Sequence, residues 1–165
     1  MHCCMKCCFA YRKRAWYLLG LEIERREYFI EDPLCPKLFM QSWINKTKES
    51  RGTVLITHGL AEHSECYDHV AQRLANEGWI VFAWDLQGHG KSQGKRGYIK
   101  NFKDFIRDLK TVVEKIKADG SLKTTPFVLI GHSMGGLIVL SALANQSLPS
   151  IAGSVLSSPA LGISK

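Results

Sequence analysis

The segment LIGHSMGGLIVL, residues 129–140, constrains the fold more than any other part of the sequence. It begins with an apolar run typical of a buried strand and ends with an apolar run typical of a helix. Between them Ser133 lies two positions from Gly131 and two from Gly135, in the pattern G-x-S-x-G. So tight a turn strains the central residue and leaves no room for side chains two positions away. The segment therefore predicts a strand–turn–helix unit that exposes the Ser133 hydroxyl, the placement of a serine nucleophile.

Strand and helix patterns alternate along the rest of the chain. REYFIE and KLFMQSWI, separated by EDPLCP, predict a β-hairpin. Buried strands are predicted at TVLIT, WIVFAW and PFVLI, and a last strand is predicted at IAGSVLSSPA. A helix ending at Gly78 is predicted from the apolar positions Val70, Ala71, Leu74 and Ala75. A second helix begins after Asn101 and ends at Gly120, with an apolar stripe at Phe102, Phe105, Ile106, Leu109, Val112, Val113 and Ile116. From Thr53 onward this alternation predicts a parallel sheet that is covered on both faces.

The N-terminus differs from the rest in charge and cysteine content. The chain has 165 residues, enough for one domain, and a net charge of +7, and its first 26 residues hold six cations and two anions. Four of the six cysteines form the cluster CCMKCC, which offers neither a disulfide framework nor a second pair of zinc ligands. We expect residues 1–24 to be a basic leader and residues 25–165 to form one folded domain that carries Ser133. The leader is interpreted as a solvated arm with reduced thiols, a contact with an anionic membrane surface, or a site of S-acylation.

These features also bear on compartment and partners. No apolar run approaches the roughly 20 residues of a membrane span, and no small-residue cleavage site follows the short apolar run at 15–21. A cytoplasmic protein is therefore predicted, with peripheral membrane contact through the leader as an open alternative. Nucleic acid is not expected as a partner, since no recognition motif accompanies the basic residues.

The segment THGLAEHSECY, residues 57–67, follows a predicted strand and should supply a second oxyanion donor. By spacing after His58 and Gly59, the backbone N–H of Leu60 is the candidate, paired with the N–H of Met134. His58 and His63 are tempting as general bases, but a histidine at a strand end more often orders its loop. We therefore expect His58 and Gly59 to shape the loop.

The segment GHGKS, residues 88–92, resembles the end of a phosphate-binding P-loop. That motif requires glycine at position 85, where this chain has Asp85, and no apolar helix begins at Lys91. Nucleotide binding is therefore excluded. Asp85 is expected to brace its loop.

Three stretches together resemble one known family. HGLAEHSECYDHVAQRLANEGWIVFAWDLQGHGKSQGKRGYI, FVLIGHSMGG and LSSPAL are similar to the monoacylglycerol lipase and lysophospholipase group of the α/β-hydrolase superfamily. The resemblance covers about residue 26 to the C-terminus. It implies an α/β-hydrolase fold, with a mostly parallel sheet and helices on both faces. It also implies hydrolysis of lipid monoesters by Ser133, with the amides of Leu60 and Met134 as oxyanion hole and with neither cofactor nor metal.

The chain departs from this family after Ser133. The family's triad runs Ser, then Asp or Glu, then His, but residues 134–165 contain none of these three acid or base residues. The resemblance therefore implies a fold truncated after about the sixth strand, without a cap, and incomplete catalytic machinery. A general carboxylesterase or peptidase on the same scaffold and a non-catalytic interaction protein remain as alternative functions.

Overall fold

The computed structural model describes residues 12–13, 23–33, 35–119 and 126–162. The strands are β1 (Arg12–Lys13), β2 (Ile23–Asp32), β3 (Cys35–Asn45), β4 (Gly52–Thr57), β5 (Trp79–Trp84), β6 (Phe127–His132) and β7 (Gly153–Ser157). The helices are α1 (Asp68–Asn76), α2 (Phe102–Ala118) and α3 (Met134–Ala144), and a 3₁₀ turn, Ser64–Tyr67, precedes α1. Every strand and helix predicted from residue 26 onward is present.

All seven strands form one sheet in the order β1-β2-β3-β5-β4-β6-β7. β5, β4, β6 and β7 are parallel neighbours, which confirms the parallel sheet predicted from Thr53 onward. β2 and β3 form the predicted antiparallel hairpin, and β3 pairs antiparallel with β5. The carboxyl ends of β4, β5 and β6 therefore meet at one edge of the sheet, which we call the carboxyl edge.

Helices cover both faces of this sheet, as predicted. β4 is buried along its whole length because its alternate side chains enter different cores. Val54 and Ile56 pack in a core that includes Ala71 and Ala75 of α1. Leu55 belongs to the larger core on the other face, with apolar side chains of α2 and α3 that include Leu109, Val112, Val113, Ile116, Ile138, Val139 and Ala142.

The helix boundaries follow their local signals. The side chain of Asn101 accepts a hydrogen bond from the Lys103 amide at 3.0 Å, which confirms it as the N-cap of α2. Gly78 has a φ of 88° directly after the last turn of α1, a conformation that glycine adopts without strain. The predicted end of α2 at Gly120 lies outside the described residues.

The strands nearest the two ends of the sequence, β1 and β7, are the edge strands of the described sheet. Most of the predicted leader lies outside the described residues, including CCMKCC, although Arg12–Lys13 pairs with β2. At the other end β7 pairs with β6, and among the described residues no strand lies on its second side. Val155 of β7 is 56% exposed, as expected for a strand with one neighbour.

Candidate active site

Ser133 lies at a strained turn between β6 and α3. Its φ of 50° and ψ of −117° are costly for a residue with a side chain. Its backbone is held from both sides, because its N–H donates to the Ser157 carbonyl at 3.0 Å and its carbonyl accepts from the Ala160 amide at 3.0 Å. Within the described part of the chain the Ser133 hydroxyl has no hydrogen-bond partner. The turn therefore presents an uncommitted hydroxyl at the N-terminus of α3.

The glycines around Ser133 are required by close backbone packing. A Cβ on Gly131 would lie 2.7 Å from the Gly135 carbonyl oxygen, and one on Gly135 would lie 2.2 Å from the Thr57 carbonyl oxygen. A Cβ on Gly136 would lie 2.9 Å from the Cβ of Pro159. Close packing therefore excludes side chains at Gly131 and Gly135, as the sequence pattern predicted. Gly136 is a third position of the same kind.

Two free amides flank the serine. Met134 is the first residue of α3, where the amide has no partner within the helix. Leu60 lies in a turn closed by the Glu62 amide, which donates to the Gly59 carbonyl at 3.4 Å. Neither the Leu60 nor the Met134 amide donates a hydrogen bond within the part of the chain that the structure describes.

Glu62 joins the Leu60 turn to the serine turn. Its Oε2 accepts hydrogen bonds from the Gly59 amide at 2.8 Å and the Tyr67 hydroxyl at 2.6 Å, and lies 3.3 Å from Nδ1 of His132. A Cβ on Gly59 would lie 3.1 Å from both His132 Nδ1 and the Cβ of Ser133, so the two turns pack closely. We call Glu62, Tyr67 and His132 the Glu62 network.

Burial alone would raise the pKa of Glu62, but the hydrogen bonds from Tyr67 and the Gly59 amide outweigh it and lower that pKa. Burial, reinforced by the neighbouring Glu62 carboxylate, raises the pKa of Tyr67. The Glu62 network therefore centres on an ionised carboxylate that accepts hydrogen bonds from the Tyr67 hydroxyl and the Gly59 amide. Sequence analysis missed Glu62 and Tyr67, and the only available signal was their position in the predicted oxyanion loop.

A second polar group lies deeper at the carboxyl edge and consists of His58 and Asp85, which we call the His58–Asp85 network. His58 donates from Nδ1 to the Gly59 carbonyl at 2.7 Å and accepts at Nε2 from the Leu86 amide at 2.9 Å. Burial lowers the pKa of His58 to about 4, so its ring is neutral. Both ring nitrogens are committed to the main chain.

Asp85 is likewise committed to backbone amides. Its carboxylate accepts from the Ser64 and Lys91 amides, each at 2.7 Å. Gly90, at a φ of 48°, leaves the space that this carboxylate occupies, because a Cβ there would lie 2.0 Å from Oδ2. The segment GHGKS, which resembles the end of a P-loop, therefore wraps around the Asp85 carboxylate.

No other histidine among the described residues forms a hydrogen bond with Ser133. His89 is buried, and its Nδ1 donates to the Gln87 carbonyl at 3.1 Å while Nε2 has no partner within the described residues. His63 precedes the 3₁₀ turn and lines a cavity of about 550 Å³ that also borders Leu60. No group of three or more metal-ligating side chains occurs among the described residues. None of the helices in that same portion is long and apolar enough to cross a membrane.

The sheet order, the strained serine and the glycine-lined turn together define an α/β-hydrolase. The chain belongs to the hydrolase family described as serine aminopeptidase, S33, whose profile matches residues 48–165.

Several relatives of the chain are named as lipases. The chain is 43% identical over 93 residues to the monoacylglycerol lipase of Mycolicibacterium smegmatis, a match that covers 56% of this chain and 32% of the relative. It is 36% identical over 122 residues to the monoglyceride lipase of Rattus norvegicus, covering 74% and 39%. The crystal structure of Paleococcus ferrophilus monoacylglycerol lipase superimposes with a TM-score of 0.63 at 34% identity, covering 76% of this chain and 44% of that one. The chain therefore spans less than half the length of these relatives.

Proposed function

We propose that the chain carries the nucleophile and the oxyanion hole of a serine hydrolase that acts on lipid monoesters. The observation that carries the proposal is the backbone strain at Ser133, with φ at 50°, enclosed by glycines that tolerate no side chain. Strain of this kind persists only where the surroundings impose it, and it is typical of functional sites. The unbonded hydroxyl and the helix N-terminus beneath it support the same role.

In the proposed reaction Oγ of Ser133 attacks the acyl carbon of the ester while a base removes the hydroxyl proton. The carbonyl oxygen becomes an oxyanion, and the Leu60 and Met134 amides donate hydrogen bonds to it. Collapse expels the alcohol, which takes the proton from the base, and leaves an acyl-enzyme on Ser133. Water then attacks the acyl carbon by the same route, and the fatty acid leaves.

The base of this reaction has no counterpart in residues 134–165, which contain no Asp, Glu or His. His58 is unsuitable because both of its ring nitrogens are bonded to the main chain. Nδ1 of His132 faces Glu62, and no hydrogen bond links His89 or His63 to Ser133 within the described residues. We therefore propose that Ser133 requires for full activity an acid–base pair that residues 1–165 do not supply.

The relatives' names favour lipid monoesters over the peptides that the family description suggests. The peptidase and general carboxylesterase alternatives share the same nucleophile, because a fold does not fix a substrate. An aminoacyl nitroanilide and a short nitrophenyl ester, compared with a monoacylglycerol, distinguish these substrate classes.

The test is monoacylglycerol hydrolysis by the 165-residue chain with and without an added segment. That segment is the portion of rat monoglyceride lipase that follows the region matched by this chain. Since losing a triad residue costs up to about 10⁶-fold in turnover, we expect the chain alone to act barely above background. The added segment should restore turnover.

Ser133→Ala should abolish the restored activity, whereas Ser154→Ala, at an exposed serine of β7, should not. Restored turnover that survives Ser133→Ala would contradict the proposal. No gain from the added segment would favour the non-catalytic alternative.

A further inference from the structure

An uninterrupted basic segment lies at the carboxyl edge of the sheet. Residues 86–103, between Asp85 and Asp104, contain five Lys or Arg residues and neither Asp nor Glu. The five are Lys91, Lys95, Arg96, Lys100 and Lys103. We call residues 86–103 the basic segment.

Most of this charge is uncompensated and exposed. Lys91 forms an ion pair with Glu27 at 3.1 Å, but none of the other four cations pairs with a carboxylate among the described residues. Lys95 lies over the ring of Tyr98 at 5.2 Å, and Arg96 donates to the Gly90 carbonyl at 2.6 Å. All five cationic residues are exposed. The basic segment therefore offers a polyanion four cations that form no ion pair with a carboxylate among the described residues.

Exposed apolar side chains accompany these cations. Leu60 is 63% exposed and Tyr98 is 53% exposed. Leu60, Lys91, Arg96 and Gly97 line the same cavity, so the Leu60 turn and the basic segment are neighbours. Leu60 is also the residue whose amide is proposed to face the substrate oxyanion. The surface is therefore both cationic and apolar, and it adjoins the candidate active site.

We infer that the basic segment, together with Leu60 and Tyr98, is a docking surface for an anionic lipid membrane. Cations attract the negative leaflet surface, while an aromatic ring and an aliphatic side chain enter the interface. Docking in this way turns the carboxyl edge, and with it Ser133, toward the bilayer. The preference for a lipid surface over another polyanion rests on the proposed function and on the apolar side chains. Nucleic acid would instead favour several exposed aromatic rings for base stacking, whereas Tyr98 is the only exposed Phe, Tyr or Trp residue of the basic segment.

The test is binding of the full chain to vesicles of phosphatidylcholine with and without phosphatidylserine. Each Lys or Arg near an anionic surface contributes about fivefold in affinity, so Lys95→Glu with Arg96→Glu should weaken binding at least about 30-fold. A second variant, Lys100→Glu with Lys103→Glu, should act in the same direction without touching the Arg96 contact. The matched control is Lys48→Glu with Arg51→Glu, which makes the same charge change before the amino end of β4. The control should bind at least about 30-fold more tightly than the first variant.

The N-terminal leader is present in all these variants, so it cannot produce a difference between them. Equal binding of the control and both basic-segment variants would overturn the inference. Binding to heparin separates a lipid surface from a general polyanion, because Tyr98→Ser should weaken binding to vesicles but not to heparin. Heparin binding as tight as vesicle binding, with Tyr98→Ser affecting neither, would also overturn it. Ser133→Ala should bind vesicles like the unchanged chain, so this result is independent of the proposed reaction.

Discussion

The His58–Asp85 network and the Glu62 network both hold the main chain at the carboxyl edge, but they differ in burial. His58 and Asp85 are buried, and their polar atoms bond mainly to backbone groups of neighbouring loops. Glu62 and His132 are each about one-third exposed and lie beside Gly59, which packs closely against Ser133. A buried polar group is costly to leave unpaired, whereas water replaces the lost partner of an exposed polar group. We infer that the first network supports folding and that the second sets the geometry of the Leu60 turn.

Removing the Asp85 carboxylate should have the largest effect on stability. Asp85→Ala leaves the Ser64 and Lys91 amides without their acceptor, and the free energy of unfolding should fall by about 2–4 kcal/mol. Urea denaturation measures this. Glu49→Ala, at an exposed carboxylate, is the control and should change stability by less than about 0.5 kcal/mol. Equal stability of the two variants would show that buried Asp85 supports the fold no more than an exposed carboxylate does.

The His58–Asp85 network should also make the fold sensitive to acid. His58 has a pKa of about 4 in the fold against 6.5 in the unfolded chain, so the unfolded state binds its proton first as the pH falls. The stability provided by neutral His58 is complete above pH 6.5. It is lost as the pH falls from there toward 4, and the loss amounts to about 3 kcal/mol.

Urea midpoints at pH 7 and pH 4 measure this loss. His58→Asn should lose less stability than the unchanged chain over the same interval, because it has no imidazole to protonate. The same pH dependence in both proteins would mean that other groups control the acid response.

Substitution of Glu62 should change the reactivity of Ser133 with little change in the free energy of unfolding. Glu62→Ala should slow fluorophosphonate labelling of Ser133 by about tenfold or more, because Gly59 and the Leu60 amide lose their anchor. The free energy of unfolding should change by less than about 1 kcal/mol, since the side chain is partly exposed. Glu62→Gln keeps an acceptor for the Gly59 amide and should recover most of the rate. A loss of stability as large as that of Asp85→Ala would remove the distinction between the networks.

Tyr67→Phe should have the smallest effect and reports on the charge of the Glu62 network. The Tyr67 hydroxyl helps to lower the pKa of Glu62, so its removal should raise that pKa. If ionised Glu62 holds the loop, labelling of Ser133 should then decline at a higher pH than in the unchanged chain. The control Tyr98→Phe, at an exposed tyrosine, should leave the pH profile in place. A profile that does not move in Tyr67→Phe would show that the ionisation of Glu62 is irrelevant to the loop.

The two networks also show what the sequence can and cannot predict. Gly131 and Gly135 were predictable because their constraint is local, and the strands and helices were predictable from short periodic patterns. The bracing positions of His58 and Asp85 followed from their places at strand ends. The contact between Glu62 and His132 joins positions 70 residues apart, and it forms only because β4 and β6 are neighbours in the sheet. No local pattern carries that information, and the antiparallel pairing of β3 with β5 was missed for the same reason.

Ser133 is proposed as the nucleophile and the Leu60 amide as a donor to the oxyanion. Intact-mass analysis of fluorophosphonate adducts tests both roles. Leu60 is the first central residue of its turn, where proline is favoured, so Leu60→Pro removes the N–H group, together with an exposed side chain, while fitting the turn. Ala61→Gly keeps that N–H and relieves the φ of 59° at Ala61 in the same turn, which makes it the matched control. We predict one slowly formed adduct on Ser133, none in Ser133→Ala, an unchanged rate in Ala61→Gly and labelling about 100-fold slower in Leu60→Pro. An adduct on another residue, or a Leu60→Pro variant that labels as fast as the unchanged chain, would contradict the account.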